Sequence, residues 1–296
     1  MLSKEFVIKQ KIVFLSGLFV LNGVFLADNA TEQLKIGNLA LPTSQQPGSL
    51  LGIGQNIVDK DDFQLFTYVD HMNGCCKSFT EVWPTILWGI QNNLSLFIQQ
   101  PIAAKFQQNN QISKGLEDLL IQFEYAAYEK DKETATDQIT VVVNVTIPTG
   151  SAYKQPPTGF GASSYFLGMT ASHAGSNWYP FASTGVIVTT SDNGTKFGNQ
   201  FLYECGLCKN ISYRSNEWIF SWMVEMHGLY KQRDTITGTI NQNSGNNAIL
   251  LGPSLWFSTQ RFIAQAGISW PVYQKLFGNQ KNTDNYYIAV DIGWKF

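Results

Sequence analysis

The chain has 296 residues and a formal net charge of −2, with 14% charged and 14% aromatic residues. Charge this sparse lies well under the ~25% of ordinary soluble domains, and without a basic cluster the sequence excludes nucleic acid as a partner. Mean hydropathy is only −0.10, and past residue 27 no run approaches the ~18 consecutive apolar residues of a spanning helix.

At the start of the chain, Lys4, Lys9 and Lys11 precede the apolar run Ile12 to Leu26. A short charged stretch followed by an apolar run of this length reads as a secretory signal, with cleavage expected after Ala27. An uncleaved anchor helix is the alternative. Residues 28–62 contain Gly and Pro throughout and do not read as a spanning strand. Leu50, Leu51, Ile53 and Ile57 are too apolar for a solvated linker. The segment is therefore expected to be a periplasmic tail or, better, a plug that partly occupies a lumen.

Residues 63–296 show about twelve candidate strands, with turn chemistry between them. In chain order they fall near 63–70, 80–90, 94–104, 116–128, 139–147, 164–174, 179–190, 200–213, 218–231, 248–258, 261–272 and 285–296. Most reach the ~9–11 residues that a tilted strand needs to cross a bilayer. Long and short connections alternate, as they do between the external and periplasmic ends of a membrane barrel. A soluble β-sandwich has similar strand counts but not that alternation. Two stretches read as longer links: HMNGCCKS after the first strand, and a charged one at 129–138.

The last strand carries the sharpest pattern. Tyr286, Ile288, Val290, Ile292, Trp294 and Phe296 are apolar at every second position, with Tyr287, Ala289, Asp291, Gly293 and Lys295 between them. Period two gives one greasy face, which suits a lipid-facing stave closing a ring. These six residues also resemble the terminal aromatic signal read by bacterial barrel-assembly machinery. The expected fold is an all-β, antiparallel up-and-down transmembrane barrel in the bacterial outer membrane, with lipids and the assembly machinery as partners.

Parity assigns the remaining faces. Trp218, Phe220, Trp222, Val224 and Met226 point outward, as do Leu119, Ile121, Phe123 and Tyr125, and Val141, Val143, Val145 and Ile147. A charge on the lipid face costs ~2–4 kcal/mol at the midplane. Glu81, Asp118, Gln122, Glu124, Glu204, Glu225, His227 and Asp291 are therefore candidate lumen-lining residues. They would line a cation-favouring pore or fill a narrow barrel as a sealed network. Lys209 comes out facing lipid, which requires snorkelling to the headgroups or a bulge. The strand near 179–190 has no clear face.

Cys205 and Cys208 spell CGLC, but three strand residues put them ~10 Å apart on opposite faces, beyond disulfide reach. Cys75 and Cys76 are adjacent in an external connection. No nucleophile, metal or dinucleotide motif is present, so neither an enzyme nor a cofactor or metal is expected. His173 with Ser172, Ser176 and Asn177 offers the residue types of an outer-membrane lipid hydrolase, without that family's motif.

The stretches TILWGIQNNLSLFIQQPIA, GLEDLLIQFEYAAYEK, VTIPTGS with PPTGFG, TKFGNQFLY, LLGPSLWFSTQ and IAVDIGWKF resemble outer-membrane transporters named after the meta-pathway of phenol degradation. The resemblance implies a barrel with a transport-like role for a small solute. It carries over no catalytic residue and no substrate. A closed surface barrel is the other expectation.

Overall fold

The computed structural model describes residues 33–281 and 283–296. The expected signal peptide, residues 1–27, and residues 28–32 lie outside them. Twelve antiparallel staves close into a barrel. They are β1 (Phe63–Gly74), β2 (Lys77–Gln91), β3 (Leu94–Gln99 and Ile102–Gln108) and β4 (Gln111–Leu116 and Leu119–Lys132), followed by β5 (Ala135–Ile147), β6 (Ser164–Gly175), β7 (Trp178–Thr189) and β8 (Gln200–Arg214). The ring is completed by β9 (Trp218–Lys231), β10 (Asn246–Thr259), β11 (Phe262–Leu276) and β12 (Asp284–Lys295).

Closure is made by β12 on β1, in register from Gln64 opposite Lys295 to Asn73 opposite Tyr286. Phe296 extends the seam: its N–H donates to the Phe63 carbonyl, and the two rings lie 6.0 Å apart. Two staves are broken. Gln100-Pro101 interrupts β3 and Glu117-Asp118 interrupts β4, because Pro101 has no N–H to give the ladder. The Pro101 carbonyl accepts from the Glu117 N–H instead.

The chain termini of the barrel and the tight turns share one end, the turn end. Longer connections gather at the other, the loop end. Both links expected to be long are shorter than they read. The ladder runs through the charged stretch to a turn at Glu133-Thr134, and through HMNG to a turn at Cys75-Cys76. Backbone pairing does not depend on apolar side chains, so polar hairpin ends extend beyond the greasy belt. At the loop end, Thr195 and Lys196 pair with Ile236 and Thr235, knitting two long loops together.

The outer face is a continuous apolar belt, as period-two patterning demands. Leu65, Trp88, Phe123, Val143, Leu167, Val186, Leu207, Leu255, Trp270 and Ile292 are all exposed on it. Lys209 also faces outward near the turn end, with its ammonium 5.2 Å from the Trp178 ring centroid. A bulge does occur in β8, but at Asn210/Ser212, beyond the lysine. In β7 the inner face is Tyr179, Phe181, Ser183 and Gly185, while Trp178, Val186 and Val188 point out. Aromatic and small residues stand on both sides, which is why its sequence shows no face.

Candidate functional site

The lumen is occupied from the turn end by residues 33–62. The segment enters beside β9, where Ser221 Oγ donates to Asn38 Oδ1 at 3.0 Å and the Asn216 N–H donates to the Ala40 carbonyl. It climbs past β10 and β11: Ser258 Oγ donates to the Gln45 carbonyl at 2.7 Å and Gln265 Nε2 to the Gly48 carbonyl at 3.1 Å. Its apex is Ile53-Gly54, against Thr170 of β6. It then descends to Val58, whose N–H donates to Ser95 Oγ at 3.0 Å. Ala40, Leu41 and Val58 pack on Phe66, Leu87, Phe97, Ile219, Trp256 and Ile263 of the wall. This apolar cluster is the core of the turn-end half.

Three inward carboxylates hold the climbing and descending limbs. Glu225 Oε2 accepts from Ser49 Oγ at 2.6 Å and from the Leu50 N–H at 3.0 Å, and Oε1 accepts from Ser254 Oγ at 2.6 Å. Glu124 accepts from the Asn56 N–H and from Asn56 Nδ2, both at 2.8 Å, and from Gln122 Nε2. Glu204 accepts from the Ile53 N–H at 3.3 Å. His227 stands between two of them, 3.7 Å from Glu204 and 3.5 Å from Glu225. Charge-assisted bonds of this kind are the strong ones, and a buried carboxylate without them would be costly. Lys295 adds an ion pair to Asp62 where the segment joins β1.

Gln122 lines the wall beside Glu124 and accepts from Asn144 Nδ2 at 3.0 Å. Asp118 belongs elsewhere. It sits at the break in β4 and accepts from the Gly150 N–H at 2.9 Å and the Phe160 N–H at 2.7 Å, so it ties down the long loop after β5 rather than lining the lumen. The interruption at Pro101, invisible to strand parity, turned it aside.

Alongside the plug runs a cavity of about 440 Å³, bordered by plug residues from Thr43 to Val58 and by Phe66, Phe97 and Trp256 of the apolar cluster. On the plug side it meets Leu51, Gly52 and Ile53 among others, and its wall includes Tyr68, Asp70, Trp83, Glu204, His227, Tyr287 and Asp291. Glu81 stands beside it, opposite Asp70 in the β1–β2 register. Tyr68, Asp70, Trp83 and Tyr287 escaped the sequence reading, although Asp70 keeps the inward parity of Gln64 and Phe66. Several buried polar atoms here make no hydrogen bond: Trp83 Nε1, Gln55 Nε2, Asp291 Oδ1 and both ring nitrogens of His227, the last two being held only at ion-pair distance by Glu204 and Glu225. Among the described residues no group of three His, Cys, Asp or Glu is placed to hold a metal ion. His173 lies outside this site, exposed near the turn end against Asp137.

The family model described as "Putative MetA-pathway of phenol degradation" matches residues 52–280. Among solved structures, an outer-membrane channel from Pseudomonas putida F1 superposes with a TM-score of 0.70 at 11% identity, covering 85% of this chain and 99% of that one. NanC porin gives 0.48 at 11% identity, covering 78% and 100%, and LpxR from Salmonella typhimurium gives 0.43 at 10% identity, covering 79% and 100%. The first likeness establishes the fold; the other two bear no weight. No curated protein matches this sequence.

Proposed function

The chain belongs to the family whose model spans residues 52–280, and from that premise we propose that it is an outer-membrane channel for small solutes, gated by its own N-terminal segment. In this reading the turn end is periplasmic and the loop end external. The observation that carries it is the pairing of a cavity of about 440 Å³ with a plug held by individually breakable polar bonds. A barrel built only for structure would fill its lumen with interlocking side chains of its own wall. Here the filling is a separate stretch of chain with a void alongside it. The cavity has the size of a small-molecule site.

Conductance in planar bilayers tests this. The full chain should conduct in rare openings, and a chain lacking residues 28–62 should conduct steadily, with an increase of roughly an order of magnitude, since a barrel of this width holds a water path once emptied. Folded barrels silent in both forms would overturn the channel and leave a closed surface barrel.

A further inference from the structure

The cavity has a chemical polarity that its place in a channel does not require. On the inner faces of β12, β1 and β2 the register sets Asp291, Tyr68 and Trp83 in one row across the wall, and Ala289, Asp70 and Glu81 in the next. Tyr287 lies one inward position beyond Ala289, and Phe66 one before Tyr68, its ring near-parallel to the Tyr68 ring at 5.9 Å. Carboxylates and aromatic rings thus alternate on one patch of wall. Asp291 is buried to all but 4% of its surface, and its Oδ1 has no partner.

The same patch has no positive charge. Across the lumen His227 stands with Glu204 and Glu225, while Lys295, two inward positions from Asp291 on β12, is paired with Asp62. Among the described residues no lysine, arginine or histidine pairs with Asp70, Glu81 or Asp291. Buried carboxylates are otherwise paired or coordinated. A bare metal ion is the wrong counterpart, since the acids do not converge on one point. A cation with an apolar body is the right one: its ammonium satisfies Asp291 and Asp70, and its body lies on rings that attract cations through their faces.

We propose that this patch is a binding site for small organic cations, primary ammonium compounds with an aromatic or short aliphatic body. The inference rests on the channel reading, because it names the class of solute the cavity admits. Carboxylate-bearing solutes would meet the acids and be excluded. Neutral solutes of the same shape would fill the cavity but leave Asp291 unpaired.

Equilibrium binding to the purified full chain in detergent, by calorimetry, tests it with three near-isosteric probes: 2-phenylethylammonium, 2-phenylethanol and 3-phenylpropanoate. The ammonium should bind at least about tenfold more tightly than the alcohol, and the carboxylate most weakly. In Asp291→Asn the preference for ammonium over alcohol should fall to about twofold while alcohol binding is kept. Equal or tighter binding of the alcohol or the carboxylate to the unaltered chain overturns the proposal, and that comparison needs no variant to fold. Survival of the full preference in a folded Asp70→Asn/Asp291→Asn chain overturns it as well. The two readings fail separately. Selective binding without flux into liposomes sinks the channel and leaves the site, whereas flux without cation preference sinks the site and leaves the channel.

Discussion

Two parts of the lumen wall are built from the same kind of inward carboxylate and put it to opposite use. On β4 and β9, Glu124 and Glu225 have their oxygens filled by hydroxyls, amides and backbone N–H groups, much of them from residues 49–56. On β12, Asp291 keeps an unpartnered oxygen on a cavity wall. An acid facing a lumen is therefore no evidence of an ion path by itself. Its partners decide whether it is a latch or a receptor. Backbone amides are the natural substrate of a latch because they are present in any chain that threads the lumen, and releasing them to water costs only the modest net value of each bond.

The largest effect expected from this contrast is in Glu124→Gln/Glu225→Gln. Each substitution removes charge-assisted bonds worth about 1.5–3 kcal/mol and turns an amide donor toward Asn56, Ser49 or Leu50. Together the two substitutions should raise the occupancy of the released state by roughly 10²–10⁴-fold, read as open probability in single-channel recordings. The sign is decisive. If these acids only drew cations through a standing pore, neutralising them would lower conductance; as latches, their loss raises it.

A smaller effect follows at the apex of the plug. Gly54 has φ +71, and a Cβ there would stand 2.7 Å from Val142 Cγ2 and 2.8 Å from Thr170 Oγ1. Both the backbone and the space demand glycine. Gly54→Val should cost about 1–3 kcal/mol of docking without weakening the barrel ladder. Heat-modifiable mobility in gels should stay unchanged while limited proteolysis of residues 33–62 from the turn end becomes faster. Unchanged proteolysis would mean that the apex is not seated on β5 and β6.

Much of this was legible in the sequence, and the reasons are physical. A stave with one face in lipid must alternate, so β4, β5, β9 and β12 announced their faces, and the apolar content of residues 50–57 pointed into a lumen. The polar ends of hairpins carried no such pressure, so the ladders through 129–138 and past His71 were hidden. In β7 large rings lie inward over small residues of neighbouring staves, as Phe181 does over Gly206, where a Cβ would meet the ring at 2.3 Å. That exchange of bulk between staves erases the alternation. Parity also could not say what an inward acid bonds, because the plug partners of Glu124, Glu204 and Glu225 lie 68 to 176 residues away in the chain. The Asp118 case shows the limit most plainly: a proline on the neighbouring stave broke the ladder and sent the side chain to a loop.

The gentlest probe of the contrast is already in the chain. Cys205 faces outward and Cys208 inward, the first exposed on the belt and the second fully buried. Both are free, as are Cys75 and Cys76 at the loop-end turn, whose sulfurs lie 3.6 Å apart. Cys208 sits among Tyr179, Phe181 and Met223 in the turn-end half. The plug reaches over that cluster, since Tyr179 Oη donates to Gln55 Oε1 at 2.7 Å and Asn210 bonds Asn38. Cys205→Ser should change stability by no more than about 0.5 kcal/mol, the usual scale for a surface position. In that background a water-soluble maleimide should label Cys75 and Cys76 at once and leave Cys208 untouched. Adding Glu124→Gln/Glu225→Gln should then expose Cys208 to the reagent in proportion to the rise in open probability. Mass mapping reads the two sites separately. Labelling of Cys208 in the unaltered lumen would show the plug already absent, and no labelling in the open variant would show that the plug leaves Cys208 covered. Either result would break the assignment of Glu124 and Glu225 as latches.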